Sequence, residues 1–549
     1  MMPHKLNIIF IVSMLGAIVL HGCGGGGGGG GSSESDTTAP TGTASATIRP
    51  FSDSNNIVIS FNETMDTAIG SFTLGGSMAA ESDGGIWSAE SDTLTISPAD
   101  GAWVSGMDRT LTINARDLAG NPATTISLML DVYAGTLYFV SSNAADDSGD
   151  GLTPATARRN IYGAISAATG PAVVVVNGGS YPTDSSNALT RIEMKDQVSL
   201  YGGYSADFKT RNTNTNASSI TNASTIESNA FGTVTVGDSI MNPAVIDGFT
   251  IYGPSVVGNG SEDASAIVSN GNAVIQNNVL VGGVHSGSGT CAAIVSSAQI
   301  LIYRNTIRSG GTCSNGFLVS VSGTSTVDIR YNRISLESSR FTAILMTNTN
   351  GAMVINNLIS TNVTSSNSAG MQLWVSSNSI VRNNTFYSNG SSTYGIYISG
   401  GGTGNALIQN NLIYTGAGAN SYCIYEHDTA GSPAAVQNNG LFGCSIKYRD
   451  NGSGCGGGMD CDLAQLNTLG DMTVDNNVDD DPLLVDLDGA DNDINTLSDN
   501  NWHYSVLSPT SLTAGGLNGI DESWDFTDDF EGISRPASGS PWAIGAYEP

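Results

Sequence analysis

Residues 380–386 read IVRNNTF, and residues 407–413 read LIQNNLI. An apolar pair, polar residues, Asn, any residue and an apolar residue return after 27 positions. Working outward, the same pattern appears as VIQNNVL (274–280), LIYRNTI (301–307), VDIRYNRI (327–334), VINNLI (354–359) and VQNNGLF (436–442). The shared Asn stands at Asn278, Asn305, Asn332, Asn357, Asn384, Asn411 and Asn439, at intervals of 27, 27, 25, 27, 27 and 28 residues. An earlier copy, VIDGFTI (245–251), carries Phe249 in that place. A period held this closely is a structural repeat, and repeats of this length stack into a solenoid.

Each segment is too short, and too rich in Val, Ile and Thr, for a helix, so each repeat is predicted to be one coil of a β-helix. A second apolar column agrees: Ala266-Ile267-Val268, Ala293-Ile294-Val295, Phe317-Leu318-Val319, Ala343-Ile344-Leu345, Gly395-Ile396-Tyr397 and Cys423-Ile424-Tyr425. Equivalent residues would stack inside at the ~4.8 Å spacing of neighbouring strands. The recurrent Asn suits a ladder of side-chain amides, and it tolerates the left-handed backbone of a tight turn.

Composition agrees with an all-β chain. The 549 residues include 69 Gly, and only 12% are charged against 40% apolar. Length allows two or three domains. The net charge of −30 argues against nucleic acid as a partner, because such binding needs a basic footprint. Six Cys besides Cys23, in a chain read as exported, predict disulfides. Fifteen pairings are possible, and proximity favours Cys291–Cys313, Cys423–Cys444 and Cys455–Cys461.

The N-terminus reads as an address. Lys5 precedes an apolar run at residues 6–20, shorter than the ~20 residues of a membrane-spanning helix. Leu20-His21-Gly22-Cys23 resembles a bacterial lipobox, which implies lipid attachment at Cys23 and anchoring in the outer membrane, at the cell surface. Eight glycines at 24–31 open a flexible tether extending to residue 37. Residues 38–134 alternate like a β-sandwich. Their segments ISFNETMD (59–66), LTISPADGAW (94–103) and RDLAGNPA (116–123) resemble the bacterial Ig-like domain of surface-anchored proteins, a spacer in that family. Trp87 and Trp103 are read as packing residues there.

Residues 135–549 resemble the right-handed parallel β-helix, or pectin-lyase-like, superfamily. The likeness is carried by LYFVSSNAADDSGDGLTPATARRNIYGAISAA (137–168), VSLYGGYSADFKTR (198–211), DPLLVD (481–486) and SRPASGSPWAIGAYE (534–548). It implies a short helix capping the first coil; the chain's end is read as an acidic C-terminal cap.

Catalytic signatures of that superfamily are missing: the Arg-x-Pro-x-x-Arg of pectate lyases, and the Asn-x-Asp, Asp-Asp, Gly-His-Gly and Arg-x-Lys set of polygalacturonases. One charged cluster remains. If Cys423–Cys444 stacks two strands, Glu426 would face Lys447 and Asp428 would face Arg449, within one residue of register, with His427 between the acids. Opposite charges so placed form either a structural ladder or a site. Asp328, Arg330, Arg333, Glu337 and Arg340 are expected on a solvated outer face; His285 and His503 stand alone. Asp486, Asp488, Asp491 and Asp493 set four carboxylates around Gly489, which predicts either a Ca²⁺ loop or a solvated acidic loop. The expected function is a non-catalytic surface lipoprotein whose β-helix binds carbohydrate or another surface component. The alternative is a calcium-assisted polysaccharide lyase or related glycan-processing enzyme.

Overall fold

The computed structural model describes residues 36–549 apart from 185–190, 223–231, 257–263, 287–289, 312, 314, 324–325, 338–340, 363–367, 389–392, 401–403, 416–419, 429–431, 453 and 494–498. The lipobox, Cys23 and most of the glycine tether lie outside the described residues.

Residues 135–479 wind into a parallel β-solenoid with three walls, of 12, 10 and 11 strands. One coil shows the plan: Ile380–Arg382 in the first wall, Thr385–Ser388 in the second and Thr393–Ser399 in the third. Strands pair in parallel with their counterparts one coil away, as Val381 does with Ile408 and Phe386 with Ile413. The exception is the last strand of the third wall, Asp460–Cys461, which pairs antiparallel. Ile275, Ile302, Ile329, Val354, Val381 and Ile408 fill one interior column without solvent exposure. The second apolar column also lies inside, with one correction. Ile294 pairs with Val319, and Val319 with Ile344, so the predicted alignment of Phe317-Leu318-Val319 was one residue out. Phe317 pairs with Thr342 of the outer face and accordingly sits half-exposed.

The corner between the first and second walls holds the asparagine ladder. Each ladder Asn accepts, on its Oδ1, the backbone N–H of the Asn one coil before, at 2.9–3.1 Å from Asn278 to Asn439. The ladder ends on Phe249 N–H at one side and extends to Asn477 at the other, a rung the spacing did not reveal. Each Nδ2 donates back to a first-wall carbonyl, as Asn384 does to Val354 at 2.8 Å. The left-handed backbone belongs to the preceding residue, not to the ladder Asn. Asn356, Asn383, Asn410 and Asn438 have φ between 52° and 57°, and Arg304 and Tyr331 take the same conformation.

Those four preceding asparagines point outward and hold the C-terminal segment. Their Nδ2 groups donate to Asp528 O, Gly545 O, Leu517 O and Gly515 O. Arg535 is buried among Asn356 Oδ1, Ala546 O and the Glu548 carboxylate. Residues 480–549 are therefore a strap along the solenoid flank, not the predicted end cap. The C-terminal end is closed instead by Leu463–Leu466, with Leu466 and Leu469 plugging the core beside the Cys455–Cys461 disulfide. The N-terminal end is closed by the helix Ile161–Ala167, as predicted, through Ile161, Ala164 and Ile165.

Residues 42–133 form a sandwich of two four-stranded sheets around Ile57, Ile59, Leu94, Ile96, Trp103, Leu111 and Ile113. Trp87 packs against this core. The sandwich is fused to the first coils. Buried Asp131 accepts from Arg49 Nε and Tyr204 Oη, both at 2.9 Å, and the Tyr133 ring lies 4.6 Å from that of Tyr201. All three expected disulfides are present, the first two joining adjacent coils.

Replacing Asn384 with Ala leaves neighbouring amides unpaired in the dry corner, and urea unfolding should show a loss of roughly 2–4 kcal/mol. The double substitution Cys423→Ser/Cys444→Ser opens a 21-residue loop and should lower stability by about 3 kcal/mol in the same assay.

Candidate functional site

Two strands of the third wall carry the same short string, Tyr394-Gly-Ile-Tyr397 and Tyr422-Cys-Ile-Tyr425. Ile396 and Ile424 point inward and are fully buried, so Tyr397 and Tyr425, the next residues, face outward. Tyr394 and Tyr422, two residues before each Ile, reach the same outer face across Gly395 and Cys423, where the simple alternation is broken. Parallel pairing aligns Gln372, Tyr397, Tyr425 and Arg449 in one outer column, and Ala369, Tyr394 and Tyr422 in another. The rings of Tyr397 and Tyr425 stack 5.1 Å apart at 5°, and those of Tyr394 and Tyr422 5.6 Å apart at 22°. Edge contacts of 4.9–5.1 Å join the two columns into one block.

Toward the N-terminus the columns step down to Ala369 and Thr342. That step leaves an open cavity of about 370 Å³ lined by Thr342, Ala369, Gln372, Tyr394, Tyr397, Tyr425 and His427. Trp374, on the same face two residues past Gln372, is 50% exposed. Burial, reinforced by Tyr425 and Tyr394, pushes the Tyr397 hydroxyl up to about 12, so it remains a neutral donor. At the rim, Asp428 accepts Gly400 N–H at 2.6 Å and lies 3.0 Å from His427 Nδ1. The Gly400 bond first, and His427 second, hold its carboxyl below the usual range.

The charged cluster expected here is not assembled. Ile424 pairs with Tyr448 and Tyr425 with Arg449, three residues away from the predicted register, because Cys444 precedes the strand Ile446–Arg449. Glu426 therefore points into the solenoid, 1% exposed, accepting from Tyr448 Oη at 2.7 Å and Ser432 Oγ at 3.2 Å. Lys447 donates to Leu441 O, with Asp479 3.6 Å away. Arg449 lies over Tyr422 and Tyr425 and pairs with Asp460 at 3.1 Å. Only His427, Asp428 and Arg449 of that set touch or border the tyrosines.

The other candidates disperse. Asp328 and Arg330 pair at 2.6 Å, and Asp525 of the strap joins Arg330 at 2.9 Å, so this face is partly covered rather than solvated. Arg333 lies over Phe530, Glu337 is exposed nearby, and Arg340 is outside the described residues. His285 is buried; His503 rests on Tyr547. No three of Asp486, Asp488, Asp491 and Asp493 bring their carboxylates within metal-binding reach of one another. Among the described residues the one acidic trio within metal-binding reach is Asp36, Glu63 and Asp117, at the far pole of the sandwich.

Ile396-Tyr397 and Ile424-Tyr425 stand in the second apolar column read from the sequence, which leaves out Tyr394 and Tyr422. The missing step was to ask what the outward neighbours of each buried Ile would build. The groove holds aromatic faces and a few neutral polar groups, while its described lining contains no carboxylate. Hydrolysis of a glycosidic bond ordinarily needs two. Such a surface is equipped to bind by stacking and hydrogen bonding.

The molecule is thus an all-β protein built on a parallel β-helix with an aromatic outer groove. Residues 296–478 match the family model described as "Right handed beta helix region", giving those coils a right-handed winding. No curated protein matches the chain. Among solved structures, a XylC complex with xylose is similar at TM-score 0.37 and 10% identity, over 75% of this chain and 98% of that one. The Family 28 exopolygalacturonase of Yersinia enterocolitica is similar at TM-score 0.27 and 13% identity, over 75% and 80%. The chemistry of the groove rests on its own side chains.

Burial pushes the Glu426 carboxyl up, against the pull of its Tyr448 and Ser432 hydrogen bonds. Its folded-state pKa thus lies above the unfolded value near 4.3, so its contribution is full below that pH and is lost as pH rises through the folded pKa. Glu426→Gln should therefore gain stability relative to wild type between pH 4 and pH 8, read by urea unfolding across that range.

Proposed function

We propose that this chain is an exported, lipid-anchored protein that binds carbohydrate in the tyrosine groove of its β-helix and carries out no bond cleavage there. The observation that carries the reading is the four-tyrosine block, rigidly seated by Ile396 and Ile424 and opening onto a polar-lined cavity. One face of a sugar ring is apolar C–H and its rim is hydroxyl, matching stacked aromatics beside Gln372, Thr342 and neutral tyrosine hydroxyls.

The N-terminal parts suit presentation from a membrane. Attachment at Cys23, in the outer membrane with the folded part at the cell surface, follows from the lipobox resemblance. In the fold, Asp36 is held beside Asn121 at the far pole of the sandwich. The strand Ile126–Tyr133 runs from that pole to the solenoid joint, a length of about 27 Å. We read the sandwich as an Ig-like stalk on that basis. No described helix is long and apolar enough to cross a membrane.

The test uses the full chain in non-ionic detergent and a panel of soluble polysaccharides in affinity gels, with and without Ca²⁺. At least one polysaccharide should retard wild type. Tyr425→Ala should weaken retention about tenfold, the scale of losing a central aromatic anchor. Release of reducing ends or unsaturated uronides from any substrate would replace binding with turnover and revive the lyase alternative.

A further inference from the structure

We infer that the groove is built for a neutral polysaccharide laid along the solenoid axis, and that it discriminates against polyuronates. This inference rests on the carbohydrate reading above and names the ligand class.

The axis follows from register. Thr342, Ala369, Tyr394 and Tyr422 occupy successive coils of one outer column, with the Gln372–Tyr397–Tyr425 column beside it. Three steps of ~4.8 Å extend the surface about 14 Å along the axis. A chain of sugar rings laid in this direction meets one stacking or hydrogen-bonding residue after another. Laid across the wall, it would leave the tyrosine block at once.

The charge preference follows from an inventory of the rim. Among the described residues around the groove, each cation already has a partner. Arg449 pairs with Asp460 and lies flat against Tyr422 and Tyr425. Lys447 is turned toward Leu441 O and Asp479. Asp428 is held ionised by Gly400 N–H and bordered by His427. A uronate carboxylate entering here would shed water, find no unpaired guanidinium or ammonium among the described residues, and approach Asp428 within a chain of net charge −30. A neutral hydroxyl-bearing chain bears none of these costs, and Gln372, Thr342 and the tyrosine hydroxyls offer it both donors and acceptors.

The experiment compares the intact chain in non-ionic detergent against neutral probes (soluble xylan, galactomannan and mixed-linkage glucan) and acidic ones (polygalacturonate and alginate), at 50 and 500 mM NaCl. The expected result is retention by a neutral probe that changes less than about twofold with salt and falls about tenfold in Tyr397→Ala. Tyr425→Ala, on the next coil, repeats the test if Tyr397→Ala does not fold. Salt-sensitive retention by polygalacturonate or alginate, lost in these variants, would overturn the neutral assignment and leave the carbohydrate reading standing. Retention of a neutral probe unchanged in both folded variants would place binding elsewhere and overturn the inference. Wild type retained by no probe would overturn both.

Discussion

Every coil must turn a corner between its first and second walls, and the backbone groups at that corner are sealed from water. The asparagine ladder answers that constraint. A ladder Asn accepts the N–H of the coil before it and donates to a first-wall carbonyl, so each corner is satisfied only when the neighbouring corners are in place. Buried polar groups left unpaired are expensive, which makes the ladder a register device as well as a source of cohesion. The tyrosine groove depends on it. Tyr397 and Tyr425 stack because their coils are in register, and register is policed on the opposite side of the solenoid.

A pair of adjacent asparagines does two jobs with one residue type. In Asn383-Asn384 the second faces inward as a rung, while the first takes the left-handed turn conformation and faces outward to the strap. Asn410-Asn411 and Asn438-Asn439 repeat the division. The coils containing Arg304 and Tyr331 have no outward Asn at that place. Tyr331 instead joins Phe530 and Tyr547 in an aromatic cluster at the strap's margin.

The repeat was legible because interior stacking demands equivalent residues at equivalent places, and the spacing of Asn278 through Asn439 records that demand directly. The strap was not legible as a strap. Its contacts, such as Arg535 to Asn356, join residues 179 apart and leave no periodic trace. The charged cluster misled for a related reason. A disulfide constrains two sulfur atoms, not the register of the strands beyond them, so Cys423–Cys444 was a poor ruler for Glu426 and Lys447. Tyr397 and Tyr425 were hidden in the apolar column, although a residue beside a buried Ile faces the surface by the geometry of a strand. Tyr394 and Tyr422, two residues before each Ile, follow no such alternation.

The strap also sets an order of events for the nascent chain. Coils assemble from neighbour contacts and can begin to stack as they leave the ribosome, N-terminus first. The outward amides of Asn356, Asn383, Asn410 and Asn438 then have no strap to hold until the last few dozen residues have been made. Contacts of such sequence separation form slowly, since a long loop must close before they are rewarded. During that interval the flank that will lie beneath Trp542 and Ile544 is open apolar surface. The coils are therefore most exposed to misassembly until residues 515–548 have been made, and truncation before that segment would strip a side wall from coils made long before.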